Sequence, residues 1–281
     1  MSYGPNPWQQ TNWDARAAGN FMGGGAGCGL LLFATAAGAQ GTLRVVLVVV
    51  ALALIGIGLL CVWAEIGRPW RALNVFFHPQ TSWMSREAAV APLLMASGAA
   101  SLLWPQLQPL AAALAAVFLY CQARILQACK GIPAWREPMT VPLVAATGLA
   151  EGAGLYWILA PWWGQGNILS WLTLGALLLL RFVLGSAWRR RLAAALRPAP
   201  LRAVDRTALG LKAGSLLPLA LVLIGAAAPP LPSVAALLLQ LLAGLLALGG
   251  GALFKFMLVT KAGFNQGFAL PHLPVRGVRR G

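Results

Sequence analysis

The polar side chains of this sequence are concentrated in the stretch EIGRPWRALNVFFHPQTSWMSRE, which runs from Glu65 to Glu87. Its charged members are Glu65, Arg68, Arg71, Arg86 and Glu87. Carboxyl groups can exchange protons with a bound substrate, and guanidinium groups can stabilise negative charge on it. Because charges beside apolar sequence are costly to desolvate, their clustering favours a polar pocket. The alternative is an interfacial segment in which the arginines contact lipid headgroups and the carboxylates cap helices.

The remainder of the chain is apolar. Of its 281 residues 59% are hydrophobic and 10% are charged, with a mean hydropathy of +0.74. A helix needs about 20 apolar residues to cross a membrane. Eight stretches meet this requirement, and they run roughly over Ala17–Gly38, Leu43–Glu65, Glu87–Trp104, Pro109–Cys129, Val141–Pro161, Gly166–Trp188, Ala208–Ala228 and Val234–Thr260. We therefore expect one all-α membrane domain over residues 1–281, a bundle of eight transmembrane helices.

The positions of the basic residues test the count of eight spans, because a missed or an extra span would distribute them over both sides of the membrane. With eight spans, 20 of the 21 Lys and Arg residues fall on one side, and only Arg44 lies opposite. By the positive-inside rule the crowded side is cytoplasmic. That side includes both termini, in the segments 1–16, 66–86, 189–207 and 261–281. Sorting of this kind, together with anionic lipid, accounts for the net charge of +15 without a nucleic-acid partner.

The segment from Trp188 to Arg206 is a predicted basic loop that contains three consecutive arginines. It can serve as a topological anchor that contacts membrane lipid, or as a docking surface for an acidic partner. The sequence leaves both functions open.

A short interfacial helix is predicted directly after the second span, with Pro69 in its first turn. Helical spacing places two sets of residues on different faces, the apolar Trp70, Leu73 and Phe77 and the polar Arg71, Asn74 and His78. Ser85 is the predicted N-cap of the third span.

Glu151 is the only acidic residue predicted deep within a span. An ionisable group at that depth is costly unless it is paired, neutral or hydrated, so it is a functional candidate. Three basic residues, Arg124, Arg181 and Lys255, lie one or two turns inside their helices. Each can extend towards the membrane surface. Alternatively, one of them pairs with Glu151 or Glu87.

The first span contains the run GGGAGCG from Gly23 to Gly29. In a membrane helix small residues favour close helix packing, so we do not expect this run to bind phosphate. Before it, Trp8 and Trp13 can form an interfacial aromatic belt or line a site.

The two histidines, His78 and His272, fall in predicted loops, and the four cysteines contain no CxxC pair. We therefore expect neither haem nor an iron–sulfur cluster nor another metal in this chain.

The patterns GRPWRALN and SWMSRE, with the eight-span layout, resemble the membrane-anchor subunits of dimethyl sulfoxide reductase and the related polysulfide reductases. Those subunits carry H-L-G-x-P-x-R-A-x-N after the second helix and S-x-L-S-R-E at the start of the third. The matching residues here are Gly67, Pro69, Arg71, Ala72, Asn74, Ser82, Ser85, Arg86 and Glu87. One position departs from the pattern, because Glu65 stands where the family has histidine. An ionised Glu65 cannot donate a hydrogen bond as neutral histidine can.

The resemblance implies a bacterial inner-membrane subunit that reacts with menaquinone or ubiquinone and is not catalytic alone. It also implies two partners, an iron–sulfur electron-transfer subunit and a catalytic subunit with molybdopterin, holding molybdenum or tungsten. Because the motif loop falls on the predicted cytoplasmic side, both partners are expected there, acting on an intracellular substrate. Within the family the chain looks most like membrane subunits of phenylacetyl-CoA:acceptor oxidoreductases, which makes phenylacetyl-CoA the expected substrate.

The predicted site lies between helices near Glu65–Glu87. Glu87, with Glu65 or Glu151, is expected to deliver protons, while Arg71 and Arg86 stabilise negative charge on the quinone oxygens. The further contacts to the quinone are expected from Trp13, Arg68, Trp70, Asn74, Phe77, His78 and Ser85. A purely structural anchor and a secondary transporter remain alternatives, although the internal repeat common in transporters is not apparent.

Overall fold

The computed structural model describes residues 4, 6–66, 69–227 and 232–268. Its architecture is an all-α bundle, as predicted. The helices are α1 (Ala15–Ala36), α2 (Gly41–Glu65), α3 (Trp83–Leu103), α4 (Gln108–Ala128), the short α5 (Pro133–Arg136), α6 (Thr140–Leu159), α7 (Ile168–Ala193), α8 (Pro198–Ala227) and α9 (Ser233–Thr260). Short 3₁₀ segments cover Pro69–Phe77, Pro105–Leu107 and Ala160–Trp163. His272 and the predicted tail beyond 268 lie outside the described residues.

Seven of the described helices are long and apolar enough to cross a membrane. The protein is therefore a multi-pass membrane protein. Helix α3 is not among the seven, although its 21 residues would reach across a bilayer. Arg86 and Glu87 in its first two turns lower its hydropathy, so the count of eight spans stays a prediction.

Contacts between helix ends define two ends of the bundle. We call the end at which α1 begins and α9 ends the basic end, because the predicted basic side of the chain lies there. At this end the backbone N–H of Gln10 donates to the carbonyl of Gly263 at 2.8 Å. At the opposite end the side chain of Gln165 donates to the carbonyl of Gln40 at 3.1 Å. Arg44 also lies at this opposite end, where its guanidinium donates to the carbonyl of Ser101 at 2.6 Å.

The predicted basic loop is mostly helical. Helix α7 continues through the three arginines to Ala193, and α8 begins at Pro198, so only residues 194–197 connect them. The prediction of a loop over 189–207 is wrong because a helix can continue beyond its apolar stretch when charged side chains find partners there. Arg189 does so, since it donates to Asp205 across the two helices at 2.8 Å.

The glycines of α1 permit close packing against its neighbours, as predicted. A Cβ atom on Gly27 would lie 2.5 Å from the backbone oxygen of Ala51 in α2. On the side facing α6, a Cβ atom on Gly29 would overlap the carbonyl of Gly148, and one on Gly152 would overlap the backbone of Gly29. Helix α1 is thus held in the centre of the bundle by backbone-to-backbone contact.

The start of α1 is tied to the end of α2. Asp14 caps α1 by accepting the backbone N–H of Arg16 at 2.7 Å, and the Arg16 guanidinium donates to the carbonyl of Ala64 at 2.9 Å. The side-chain hydrogen bond from Arg16 lowers the pKa of Asp14 below its ordinary value. The folded pKa is the lower one, so this cap stabilises the fold above the ordinary carboxyl range and is lost as pH falls through the lowered value.

Candidate functional site

A small pocket lies where α1, α2, α3 and α4 meet near the basic end. We call it the Glu87 pocket, and it is lined by Trp13, Ala17, Asn20, Phe21, Val62, Glu65, Met84, Glu87 and Ile125. Its volume is about 40 Å³. Of the predicted site residues it brings together Trp13, Glu65 and Glu87.

Glu87 is the buried carboxyl group of this pocket. It lies in the second turn of α3 and is 7% exposed. The side-chain amide of Asn20 in α1 donates to its Oε1 atom at 3.3 Å. The side-chain amide of Gln122 in α4 donates in turn to the backbone carbonyl of Asn20 at 3.0 Å. Three helices therefore hold the carboxyl group in one position.

Sequence reasoning missed Asn20 and Gln122. Each is an amide side chain inside an otherwise apolar helix, and both are almost fully buried. That placement is itself a signal, because a polar side chain within a membrane span needs an internal partner.

Two buried oxygen atoms near Glu87 have spare capacity as acceptors. The Oδ1 atom of Asn20 and the Oε1 atom of Gln122 have no hydrogen-bond donor among the described residues. Buried polar atoms are nearly always paired, so such atoms indicate a place for a bound donor. A hydroxyl group or a water molecule would satisfy them.

Helix α3 begins three residues earlier than predicted. Its N-cap is Ser82, whose side-chain oxygen accepts the backbone N–H of Ser85 at 3.3 Å. The assignment of Ser85 as the cap is wrong, because Trp83 and Met84 continue the helix into the loop. Ser85 is instead a buried residue of the first turn.

We expect Ser82→Ala to lower the free energy of unfolding by about 1 kcal/mol, since it removes the cap that starts the helix carrying Glu87. Thermal unfolding of the purified protein in detergent measures this. Thr81→Ala, at the exposed neighbouring position, is the matched control and should leave the unfolding temperature unchanged. Equal effects of the two substitutions would contradict the assignment of Ser82 as the cap.

Arg86 binds the loop before α3 and is not among the residues that line the pocket. Its guanidinium donates to the carbonyl of Pro79 at 2.7 Å and to that of Gln80 at 2.8 Å. It also lies over the ring of Trp83, 4.1 Å from the centroid. Arg86 therefore fixes the position of the loop relative to α3.

The segment Pro69–Phe77 is helical, as predicted, but it is a 3₁₀ helix. With three residues per turn, Trp70 stays in line with Leu73, whereas Phe77 joins the face of Arg71 and Asn74. The predicted grouping of Phe77 with Trp70 assumed α-helical spacing and is wrong. Trp70, Arg71, Asn74, Phe77 and the following His78 are all exposed, Trp70 to 87%, and none of them lines the pocket. Arg68 lies outside the described residues.

Glu151 does not reach the Glu87 pocket and forms a second buried cluster. Its Oε2 atom accepts a hydrogen bond from Nζ of Lys255 in α9 at 2.5 Å, and both side chains are almost fully buried. This confirms the alternative that a basic residue pairs with Glu151. Arg181 in α7 donates to the hydroxyl of Ser215 at 3.0 Å, to the carbonyl of Ala247 at 2.9 Å and to the carbonyl of Gly214.

The prediction that Arg181 and Lys255 extend to the membrane surface is therefore wrong. Acceptors in the core hold both charged groups, and neither side chain is more than 1% exposed. Their positions one or two turns inside a helix gave no indication of the carbonyls that α8 and α9 present to Arg181.

A larger cavity lies at the opposite end, with a volume of about 590 Å³. Its walls include Trp157, Trp171 and the amides Gln165, Asn167 and Gln240. None of the predicted site residues lines it. Among the residues that the structure describes, no group of His, Cys, Asp or Glu side chains is arranged to hold a metal ion.

The family model described as "DMSO reductase anchor subunit (DmsC)" matches residues 16–244, which is most of the chain and includes every helix that lines the Glu87 pocket. No curated protein matches the chain.

Proposed function

Since the chain belongs to the family of dimethyl sulfoxide reductase anchor subunits, we propose that it exchanges electrons between an iron–sulfur subunit and a membrane quinone at the Glu87 pocket. The family makes it the membrane anchor of an oxidoreductase complex that also has catalytic and iron–sulfur subunits. The finer statement, that a quinone reacts beside Glu87, rests on the chemistry of the pocket.

The buried carboxyl of Glu87 is the observation that carries this proposal. A quinone takes up or releases two protons with its two electrons, and a positioned carboxyl group can supply or accept them. Asn20 and Gln122 hold that carboxyl in place. The unpaired oxygens of the same two amides would accept hydrogen bonds from the hydroxyl groups of a quinol.

The size of the pocket sets a condition on binding. A volume of about 40 Å³ holds roughly one water molecule, which is less than a quinone ring needs. Met84 at the pocket wall is 42% exposed and has a flexible, unbranched side chain that can move aside. With Met84 displaced, Trp13 would pack against the ring and Glu65 would lie on the side nearest the basic end.

The exposed 3₁₀ segment is proposed to complete the site. It carries the apolar Trp70 and Phe77 beside Arg71, Asn74 and His78, and it directly precedes the helix that holds Glu87. Apolar side chains exposed in this way are typical of an interaction surface. We place the docked iron–sulfur and molybdopterin subunits here, on the cytoplasmic face of a bacterial inner membrane, with oxidation of a substrate such as phenylacetyl-CoA reducing the quinone.

Photolabelling of the assembled complex with an azido-ubiquinone tests the location of the site. We expect label, competed by unmodified ubiquinone or menaquinone, on peptides that contain Trp13–Phe21 and Met84–Glu87. Label near Trp157 and Trp171 would move the site to the cavity at the opposite end. Label confined to the partner subunits would reduce this chain to a structural anchor.

A further inference from the structure

The second buried cluster is unusual in its charge. The chain has 6 acidic residues, and the structure describes all of them. Asp14, Glu137 and Asp205 pair with surface arginines, and Glu65 and Glu87 belong to the Glu87 pocket. Glu151 alone therefore remains to balance Lys255 and Arg181 in the core.

Of these two cations, Lys255 is the one that can lose its proton. A guanidinium keeps its charge in proteins, and that of Arg181 is surrounded by three neutral oxygen acceptors. The ammonium of Lys255 has three N–H donors but, within the part of the chain that the structure describes, one hydrogen bond, to Glu151.

Helix α1 brings this cluster close to the Glu87 pocket. A Cβ atom on Gly24 would overlap the side-chain amide of Gln122. A Cβ atom on the next residue, Gly25, would overlap Nζ of Lys255 and lie 3.7 Å from Oε2 of Glu151. Gly25 follows Asn20 by five residues, so the points at which α1 meets the two clusters are separated by roughly 7.5 Å along its axis.

Unpaired oxygens occur in both clusters. Besides Asn20 Oδ1 and Gln122 Oε1, the Oε1 atom of Glu151 is buried without a donor among the described residues. Buried acceptors of this kind are the usual partners of internal water, which can carry protons between side chains. Hydrogen-bond acceptors for such water therefore occur beside Lys255, at Gln122 and at Asn20, along the path from Lys255 to Glu87.

We infer that Lys255, positioned by Glu151, is an internal proton donor to Glu87. In the proposed step the N–H bond at Nζ of Lys255 breaks, and its proton forms an O–H bond on the ionised carboxyl of Glu87. Neutral Lys255 then takes up a proton that is delivered from the aqueous phase through internal water, so no hydroxide ion is left in the core. This inference rests on the proposed function, because Glu87 needs a new proton only after it has delivered one to the quinone.

Several other buried titratable groups lie on the helices around Lys255 and Glu87, and their charge can affect proton transfer between the two. Within the described residues these groups are Cys28 on α1, Cys121 on α4, Glu151 and Tyr156 on α6 and Arg181 on α7.

Infrared spectroscopy of the complex without added quinone tests the coupling of the two clusters. The band of the protonated Glu87 carboxyl is the one that Glu87→Gln removes. At a fixed pH, Lys255→Met should strengthen this band, because a positive charge near Glu87 is lost, and Glu151→Gln should weaken it. The double variant Glu151→Gln, Lys255→Met should restore nearly the original intensity. Lys261→Met, an exposed position at the end of α9, is the matched control and should change nothing.

Quinone-linked turnover then tests the transfer itself. The double variant removes both charges of the Glu151–Lys255 pair, so neither is left without its partner. We expect its turnover rate to fall about tenfold or more, with the affinity for decylubiquinone unchanged. An unchanged band in both single variants, or a normal rate in the double variant, would overturn the inference. If Glu87→Gln also turns over normally, the proposed function fails with it; if only the double variant does, the proposed function stands without the relay.

Discussion

Quinone-linked electron transfer is expected to fall about 100-fold or more when Glu87 is replaced by glutamine. Glutamine preserves the shape of the side chain and an oxygen that can accept the hydrogen bond from Asn20. It cannot exchange a proton, so chemistry is lost while the bundle remains intact. The measurement is reduction of decylubiquinone and of a menaquinone analogue by the assembled complex, with a reduced viologen dye as electron donor.

Two controls make this result specific. Electron transfer from the reduced dye to the iron–sulfur subunit, measured without quinone, should be unaffected in the Glu87→Gln complex. Glu137→Gln changes another glutamate near the basic end, one that pairs with Arg191 at 3.5 Å and lies outside the pocket, and should retain the normal rate. Arg71→Ala should have a smaller effect of about tenfold, because it removes a charge that assists but does not transfer the proton. Normal rates with Glu87→Gln would exclude a quinone site that depends on this carboxyl.

Replacing Gly152 with valine is expected to be the most damaging small substitution in the bundle. A Cβ atom at this position would overlap the backbone of Gly29 and of Leu30 in α1. Backbone atoms cannot move aside as a side chain can, so α1 and α6 would have to separate. We expect a loss of more than about 3 kcal/mol in the free energy of unfolding, and little folded protein in membranes.

Gly249→Val is the matched control for that substitution. A Cβ atom on Gly249 in α9 meets no atom within 4 Å, so the same change of residue occurs in open space. The amount of folded chain in membranes and the unfolding temperature in detergent should stay near those of the unchanged protein. If both variants lose stability equally, a general effect of valine on helix formation is responsible, and the α1–α6 contact is not.

The helices could be predicted from the sequence because an uninterrupted apolar stretch has few other structures available in a membrane. Their ends were less predictable. Helix α7 passes through three arginines since Asp205 pairs with Arg189 across the connection, and hydropathy contains no information about such a partner. The 3₁₀ segment shows the same limit, because its spacing differs from that of an α-helix by only a fraction of a residue per turn.

The site was predictable to the extent that its members are close in sequence or chemically conspicuous. Glu65 and Glu87 flank one loop, and Trp13 precedes the helix that packs against both. Asn20 and Gln122 could have been noticed as amides in apolar helices, but their partner depends on how α1, α3 and α4 are arranged. The same reason left the pairing of Glu151 with Lys255 as one alternative among several.

The contact between the two end segments of the described chain constrains the number of times that the chain crosses the bilayer. The backbone of Gln10 bonds to Gly263 at 2.8 Å, and Asn265 bonds to the carbonyl of Trp8 at 3.0 Å, just before α1 and just after α9. An odd number of crossings would place these partners on opposite surfaces, about 30 Å apart. The number of crossings between them is therefore even. If the seven strongly apolar helices all span the membrane, an even number of crossings requires α3 to span it too. Glu87 then lies on a transmembrane helix, despite the charged residues in the first turns of α3.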